Sequence, residues 1–231
     1  MNRDVLIALL LQKGIYSPNL VEKFDTFCDE VLETNRSFNL TAITDRDEFY
    51  AKHFVDSLAG YDFVKDAKTV CDIGSGAGFP GIPLALTCPK TQFSLVDSLR
   101  KRVDFINTCT KKLNLDNCSA FHARAEEFCT SHREAFDVCT ARAVSSLATL
   151  AELCAPLIKV GGSLVAYKGR TLAEELKASE RAFDILGLKT KTIAEYNISE
   201  DEKHFLLVCE KVSRTPPQYP RGGNKPKTQP L

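Results

Sequence analysis

The 231-residue chain is expected to form an α/β domain: a seven-stranded, mostly parallel sheet with helices on both faces and a helical extension at the N-terminus. Three observations predict it. From Lys68 onward, short apolar, β-branched runs alternate with segments of helical periodicity, the pattern of a parallel sheet covered on both sides. The run Val70-Cys71-Asp72-Ile73 leads into Gly74-Ser75-Gly76-Ala77-Gly78-Phe79-Pro80-Gly81-Ile82-Pro83, which describes a strand turning sharply into a helix. Ahead of both, the first 66 residues carry helical rather than strand spacing.

Taken in order, Ser17-Pro18 supplies a cap and a first-turn proline. Leu20, Phe24, Phe27 and Val31, with Val21, Cys28 and Leu32 beside them, then form one apolar face. Asn35 to Thr41 is polar and turn-prone, and a further helix starts at Thr44 and runs through Phe49, His53 and Leu58. Lys52, His53 and Asp56 are expected to be surface charges of that helix, the alternative being a contact with substrate. Strands are expected near 69–73, 92–97, 118–122, 136–141, 162–168, 188–195 and 204–210, and helices near 80–88, 99–114, 146–159 and 171–185. In the second of these helices Val103, Ile106 and Leu113 face inward, while Arg100, Lys101, Arg102, Lys111 and Lys112 make the other side basic. Gly161-Gly162 is expected to turn into a strand and Gly187 to stop the fourth helix. The organisation expected is a helical cap (1–66) within the same domain, a core (67–210) and a basic tail (211–231). No regular element is expected beyond Glu210.

The glycine turn admits two ligand classes. Gly76-x-Gly78-x-x-Gly81, with Asp97 roughly 20 residues on, fits a dinucleotide fingerprint. Asp72-x-Gly74-x-Gly76-x-Gly78 fits the loop that holds S-adenosylmethionine (SAM). The carboxylate of Asp72 favours SAM, because it repels a pyrophosphate and suits a cofactor carrying an ammonium and a sulfonium.

Ligands of such sheets sit beyond the carboxyl ends of the strands. That rule selects Asp72-Gly74, Asp97, Ala125-Glu126, Arg142 and Lys168 at five successive tips. Asp97 can accept both hydroxyls of a ribose or cap the helix after it with Ser98. Ala125-Glu126 can reach the adenine rim or cap a short helix over 126–131. Phe79 can pack on the cofactor or fill the seam between helix and sheet. The fourth tip, Thr140-Ala141-Arg142-Ala143-Val144, holds neither an Asn/Asp-Pro-Pro-aromatic motif nor a Pro-Cys nucleophile, and an arginine cannot act as a base. An acceptor that needs no deprotonation, such as N7 of guanine, suits it, since alignment alone contributes about 7–11 kcal/mol toward a barrier.

Formal net charge is zero but unevenly spread. The cap has 7 basic and 12 acidic residues, the core 18 of each, and the tail 5 basic and none acidic. The tail is expected either to reach a polyanion or to be solvated, and to serve RNA more than the cofactor. Nine cysteines without a C-x-x-C pair fit reduced thiols of a cytoplasmic protein, and four scattered histidines show no metal-ligand spacing. The apolar run Val5–Leu11 is too short to span a bilayer and is expected to be no signal peptide.

The sequence resembles the bacterial 16S rRNA guanine-N7 methyltransferases of the glucose-inhibited division protein B type, also called small-subunit methyltransferase G. The resemblance rests on Asn39-Leu40-Thr41-Ala42-Ile43, Lys52-His53-Phe54-Val55-Asp56-Ser57-Leu58, the loop Asp72–Pro83, Asp97-Ser98-Leu99-Arg100-Lys101-Arg102, Arg124-Ala125-Glu126-Glu127, Ala141-Arg142-Ala143, Tyr167-Lys168-Gly169, and the tail from Tyr219-Pro220-Arg221 to Pro230-Leu231. It implies a Rossmann-like, SAM-dependent methyltransferase fold and transfer of a methyl group to N7 of a guanine in the decoding-region loop of 16S rRNA, position 527. It implies cofactor contacts at Gly74, Phe79, Ala125, Glu126 and Arg142, to which the strand-tip argument adds Gly76 and Asp97. Phosphate contacts are expected at Lys101, Lys168 and Arg221. The partner expected is 16S rRNA or the small ribosomal subunit, bound by a monomer without metal or membrane. Three rivals stay open. An NAD-dependent oxidoreductase lacks a Tyr-x-x-x-Lys pair. A small-molecule methyltransferase would use residues 1–60 as a lid. A non-enzymatic RNA-binding assembly factor would bind without turnover.

Overall fold

A computed structural model describes residues 2–142, 145–199 and 202–231. Helices α1 (Asn2–Gln12) and α2 (Pro18–Asn35) open the chain. The Ser17 hydroxyl accepts from Leu20 N at 3.1 Å, and Pro18 fills the first turn, where a missing amide costs nothing. One continuous helix comes next, in which α3 (Arg46–Phe49) and α4 (Asp56–Leu58) are joined by a π-helical turn, Tyr50–Val55. Such a turn carries one residue more than an α-helix would. Then come α5 (Tyr61–Val64), β1 (Thr69–Ile73), α6 (Gly81–Thr87), β2 (Gln92–Asp97), α7 (Arg100–Lys112), β3 (Cys118–His122), α8 (Ala125–His132) and β4 (Phe136–Arg142). The chain closes with α9 (Leu147–Cys154), β5 (Ile158–Lys168), α10 (Leu172–Leu186), β6 (Leu188–Ser199), β7 (Glu202–Lys211) and α11 (Lys225–Thr228).

The sheet order is β3-β2-β1-β4-β5-β7-β6, parallel except for β7, which runs antiparallel to both neighbours. Side chains alternate along each strand, so Val70, Val138 and Val165 pack under the N-terminal helices while Cys71, Cys139 and Leu164 pack under α8, α9 and α10. The cap belongs to the first of these clusters: Phe24, Phe27, Phe49 and Phe54 are fully buried and meet Val70, Phe93 and Leu95 across the seam.

Three expectations need correction. The helix expected over 146–159 stops at Cys154, because Pro156 cannot continue it, and Ile158 already pairs with Phe136. Gly161-Gly162 is no turn but lies inside β5, where the register with β4 shifts and Gly161 takes φ +88°. The tail is neither structureless nor merely solvated. Lys211 and Thr215 are buried, and α11 buries Pro226.

Candidate active site

The turn after β1 is a cradle of left-handed glycines, with φ of +71° at Gly74, +58° at Gly76 and +99° at Gly78. At Gly78 a Cβ would lie 2.6 Å from the Ile82 side chain, so only glycine lets the turn close on α6. Gly74 N donates to Val96 O at 2.8 Å and Gly76 N to Asp97 Oδ2 at 2.9 Å, tying the cradle to β2. Asp97 Oδ1 takes Leu99 N at 2.9 Å. It therefore caps and still keeps lone pairs for further donors. Beside the cradle lies a cavity of about 440 Å³, lined among others by Gly74, Asp97, Ala125, Glu126 and Thr149.

Asp72, beneath the cradle at the tip of β1, is fully buried. Its Oδ1 accepts from Thr140 Oγ1 at 2.8 Å, and its Oδ2 has no hydrogen-bond partner among the described residues. Burial pushes its carboxyl up to about 6, against the hydrogen bond from Thr140. The buried acid next to a glycine cradle fits a ligand that brings a positive charge, as SAM does. A raised carboxyl favours folding in its protonated form, so its contribution is complete below the ordinary carboxyl pKa and is lost as pH rises through about 6. Asp72→Asn is expected to raise stability at pH 8 by about 1–3 kcal/mol while weakening SAM binding. Denaturant titrations at pH 4 and 8 check it: the gain should shrink toward zero at pH 4, and a gain independent of pH excludes the buried charge as its cause.

A second cavity, of about 400 Å³, adjoins the first through Ser145, which lines both. Its floor is a network assembled from distant parts of the chain. Arg142 Nη1, at the tip of β4, donates to Asp56 Oδ2 at 2.5 Å and to Lys52 O at 3.2 Å. Asp56 Oδ1 accepts from Tyr196 Oη at 2.6 Å and pairs with His204 Nδ1 at 3.0 Å. Burial alone would raise Asp56, but the hydrogen bond from His204, the Arg142 charge and the other donors outweigh it and hold the carboxyl below its usual range. His204 is raised, chiefly by its bond to Asp56.

His53 Nδ1 lies 3.1 Å from Arg142 Nη2, and its Nε2 lies 2.8 Å from Thr41 Oγ1. A guanidinium only donates, so Nδ1 is the acceptor and Nε2 carries the proton. Burial and the Arg142 charge push His53 down to about 3, leaving it neutral. At the opposite wall Lys168 Nζ donates to Glu175 Oε2 at 2.7 Å and to Ser145 O at 3.1 Å, while Glu175 Oε2 also takes Leu147 N at 2.9 Å.

The structure gathers Gly74, Asp97, Ala125 and Glu126 around the first cavity and Arg142 and Lys168 around the second. Gly76 lines neither cavity, its amide being given to Asp97 Oδ2. Phe79 lines neither cavity, its ring stacked on His53 at 4.4 Å with Arg142 5.2 Å from its centroid. Ala143 and Val144, the end of the fourth tip, lie outside the described residues. Lys101 is exposed on α7, whereas Arg221 is bound through its backbone N, Nε and Nη2 to Glu152 at 2.6–2.9 Å. Asp56 is not the surface charge that was expected. It is 2% exposed, because β6 and β7 fold back and bring Tyr196 and His204 onto it. Tyr196, His204 and Glu175 had no motif to mark them, and the pairing of β6 with β7 is what delivers the first two.

A glycine cradle, acids at the tips of β1 and β2, and a cavity beside the cradle that adjoins a second one accord with a SAM-dependent methyltransferase of Rossmann-like fold, the class to which this chain belongs. The profile of the GidB family, described as rRNA small subunit methyltransferase G, matches residues 20–206. The ribosomal RNA small subunit methyltransferase G of Ligilactobacillus salivarius is 43% identical over 222 residues, 91% of each chain. That of Lactobacillus johnsonii is 42% identical with 100% of both chains covered. A SAM-dependent methyltransferase from Aquifex aeolicus, 16% identical, superposes with a TM-score of 0.55 over 71% of this chain and 93% of its own, a likeness of fold alone. This chain belongs to the rRNA small subunit methyltransferase G family. Among the described residues no helix is long and apolar enough to cross a membrane, and no cluster of side chains is arranged to hold a metal ion.

Proposed function

We propose that the protein methylates N7 of a guanine in 16S rRNA, at position 527, by in-line transfer without a general base, acting as a cytoplasmic monomer on the small subunit or its precursor. The observation that carries this reading is the junction of the two cavities at Ser145, one fitted to the cofactor and the other bearing the charged side chains of Arg142, Lys168 and Glu175. Bound SAM supplies an electrophilic methyl group on a sulfonium. Transfer of that methyl to the N7 lone pair would leave the positive charge on the purine, with no proton for the chain to remove. The chain supplies position. Gly74, Asp97, Ala125 and Glu126 hold the cofactor side, with Gly76 behind them on Asp97, and Phe79 braces the site through its stack on His53.

Guanine presents acceptors at O6 and N7 and a donor at N2. The second cavity offers donors in Arg142 and Lys168 and an acceptor in Glu175. Asp56 neutralises Arg142, which lowers the cost of a cationic purine arriving beside a guanidinium. Neither His53, neutral and bonded on both nitrogens, nor Asp56, occupied by three donors, is free to take a proton. Lys101 meets phosphate on the rim and Lys168 works inside the cavity. Arg221, committed to Glu152, holds the tail.

The test is methyl transfer from labelled SAM to small subunits from cells lacking the gene, followed by mapping of the modified base. One N7-methylguanine at position 527 is expected. Incorporation elsewhere, or none despite saturable SAM binding, overturns the assignment. The Lys101→Ala variant is expected to bind small subunits more weakly, with a shallower dependence on salt, at unchanged SAM affinity.

A further inference from the structure

The C-terminal tail takes a route that basic composition alone does not require. β7 is antiparallel to β5, so Lys211 ends at the edge of the sheet away from the ligand cavities. The chain then climbs back along α9 through three fastenings. Arg133, just before β4, donates to the carbonyls of Thr215, Pro216 and Tyr219 at 2.7–3.0 Å. Glu152, fully buried on α9, grips Arg221 through both carboxylate oxygens. Thr149, near the start of α9, donates to Pro226 O at 2.8 Å. A buried glutamate left without its arginine would be costly, so the grip fixes where the next residues lie. Just past Arg221 come Gly223, Asn224, Pro226 and Lys227, all lining the same cavity as Gly74, Asp97 and Glu126.

We propose that Asn224 and Lys227 are cofactor-binding residues and that the tail is a wall of the SAM cavity, contrary to the expectation that it serves RNA more than the cofactor. This rests on the assignment of that cavity to SAM. Both side chains are exposed at the cavity and are hydrogen-bond donors, and the cofactor offers acceptors in its adenine nitrogens, ribose oxygens and carboxylate. The sheet's own loops line the cavity with Asp97 and Glu126, already paired with Arg102 and Arg124, and the tail adds an ammonium that is paired with neither carboxylate.

Calorimetry with SAM on the full chain, on Asn224→Ala/Lys227→Ala and on a chain ending at Arg221 decides it, with Gly74→Asp as the control for the cavity. The double variant is expected to lose about 10-fold in SAM affinity with an unchanged melting temperature. The truncation should lose at least as much. Unchanged SAM affinity in the double variant overturns the inference, even if its binding to small subunits falls. It does so also where the truncation alone weakens binding, since the effect then belongs to the backbone or Pro226. Gly74→Asp that binds SAM as the parent does refutes the cavity assignment instead.

Discussion

Gly74→Asp is expected to weaken SAM binding at least about 100-fold, or some 2.7 kcal/mol, while the protein still melts near the parent temperature. Gly74 lines the cavity assigned above to SAM at φ +71°, held by its amide on Val96 O. Aspartate tolerates the left-handed region better than most residues, so the turn itself survives the exchange. What changes is the cavity. A side chain and a third carboxylate join Asp72 and Asp97 where the ligand must pass close to the backbone. Calorimetry beside a thermal melt checks it, and native affinity with a native melt would remove the cradle from the cofactor site.

Asp56→Ala is expected to cost about 3–5 kcal/mol of stability, near 10 °C in melting temperature for a chain of this size, and to abolish methyl transfer. The loss arises because Arg142, only 15% exposed at its side chain, would keep a charge with no counter-ion, and because Tyr196 and His204 lose their shared acceptor. The double variant Asp56→Ala/Arg142→Met removes both charges and should recover most of the stability without recovering activity. Denaturant unfolding of the two variants beside the parent tests this. A single-variant loss under about 1 kcal/mol would mean that the pair is not desolvated in solution.

The elements that could be read from sequence were those whose cause is local. The β-branched runs, the glycine turn and the cap at Ser17-Pro18 specify β1, the cradle and α2 by themselves. The acidic tips could be read because parallel topology places strand ends together whatever the intervening residues. Asp56 could not, since its burial depends on a hairpin more than 130 residues away, with Tyr196 to Asp56 a separation of 140 positions. Helical spacing records only which face of a helix is apolar, and a carboxylate facing a distant arginine looks like one facing water. The tail was illegible for a related reason: five basic residues and several prolines look like a solvated segment until Glu152 and Arg133 are seen to hold it.

The π-helical turn from Tyr50 to Val55 leaves a mark on what this chain can tolerate over evolutionary time. Each residue of an α-helix advances the chain by about 100° around the axis. The wide turn already absorbs one residue without turning its flanks, so a further residue inserted there would swing everything before it by that angle relative to Asp56. Phe49 and Tyr50, now fully or almost fully buried, would rotate away from their partners, or Asp56 would rotate away from Arg142. Point substitutions on the outer face leave this phase untouched, whereas an added residue between the core phenylalanines and Asp56 does not. The span 46–58 should accept changed letters far more readily than added ones.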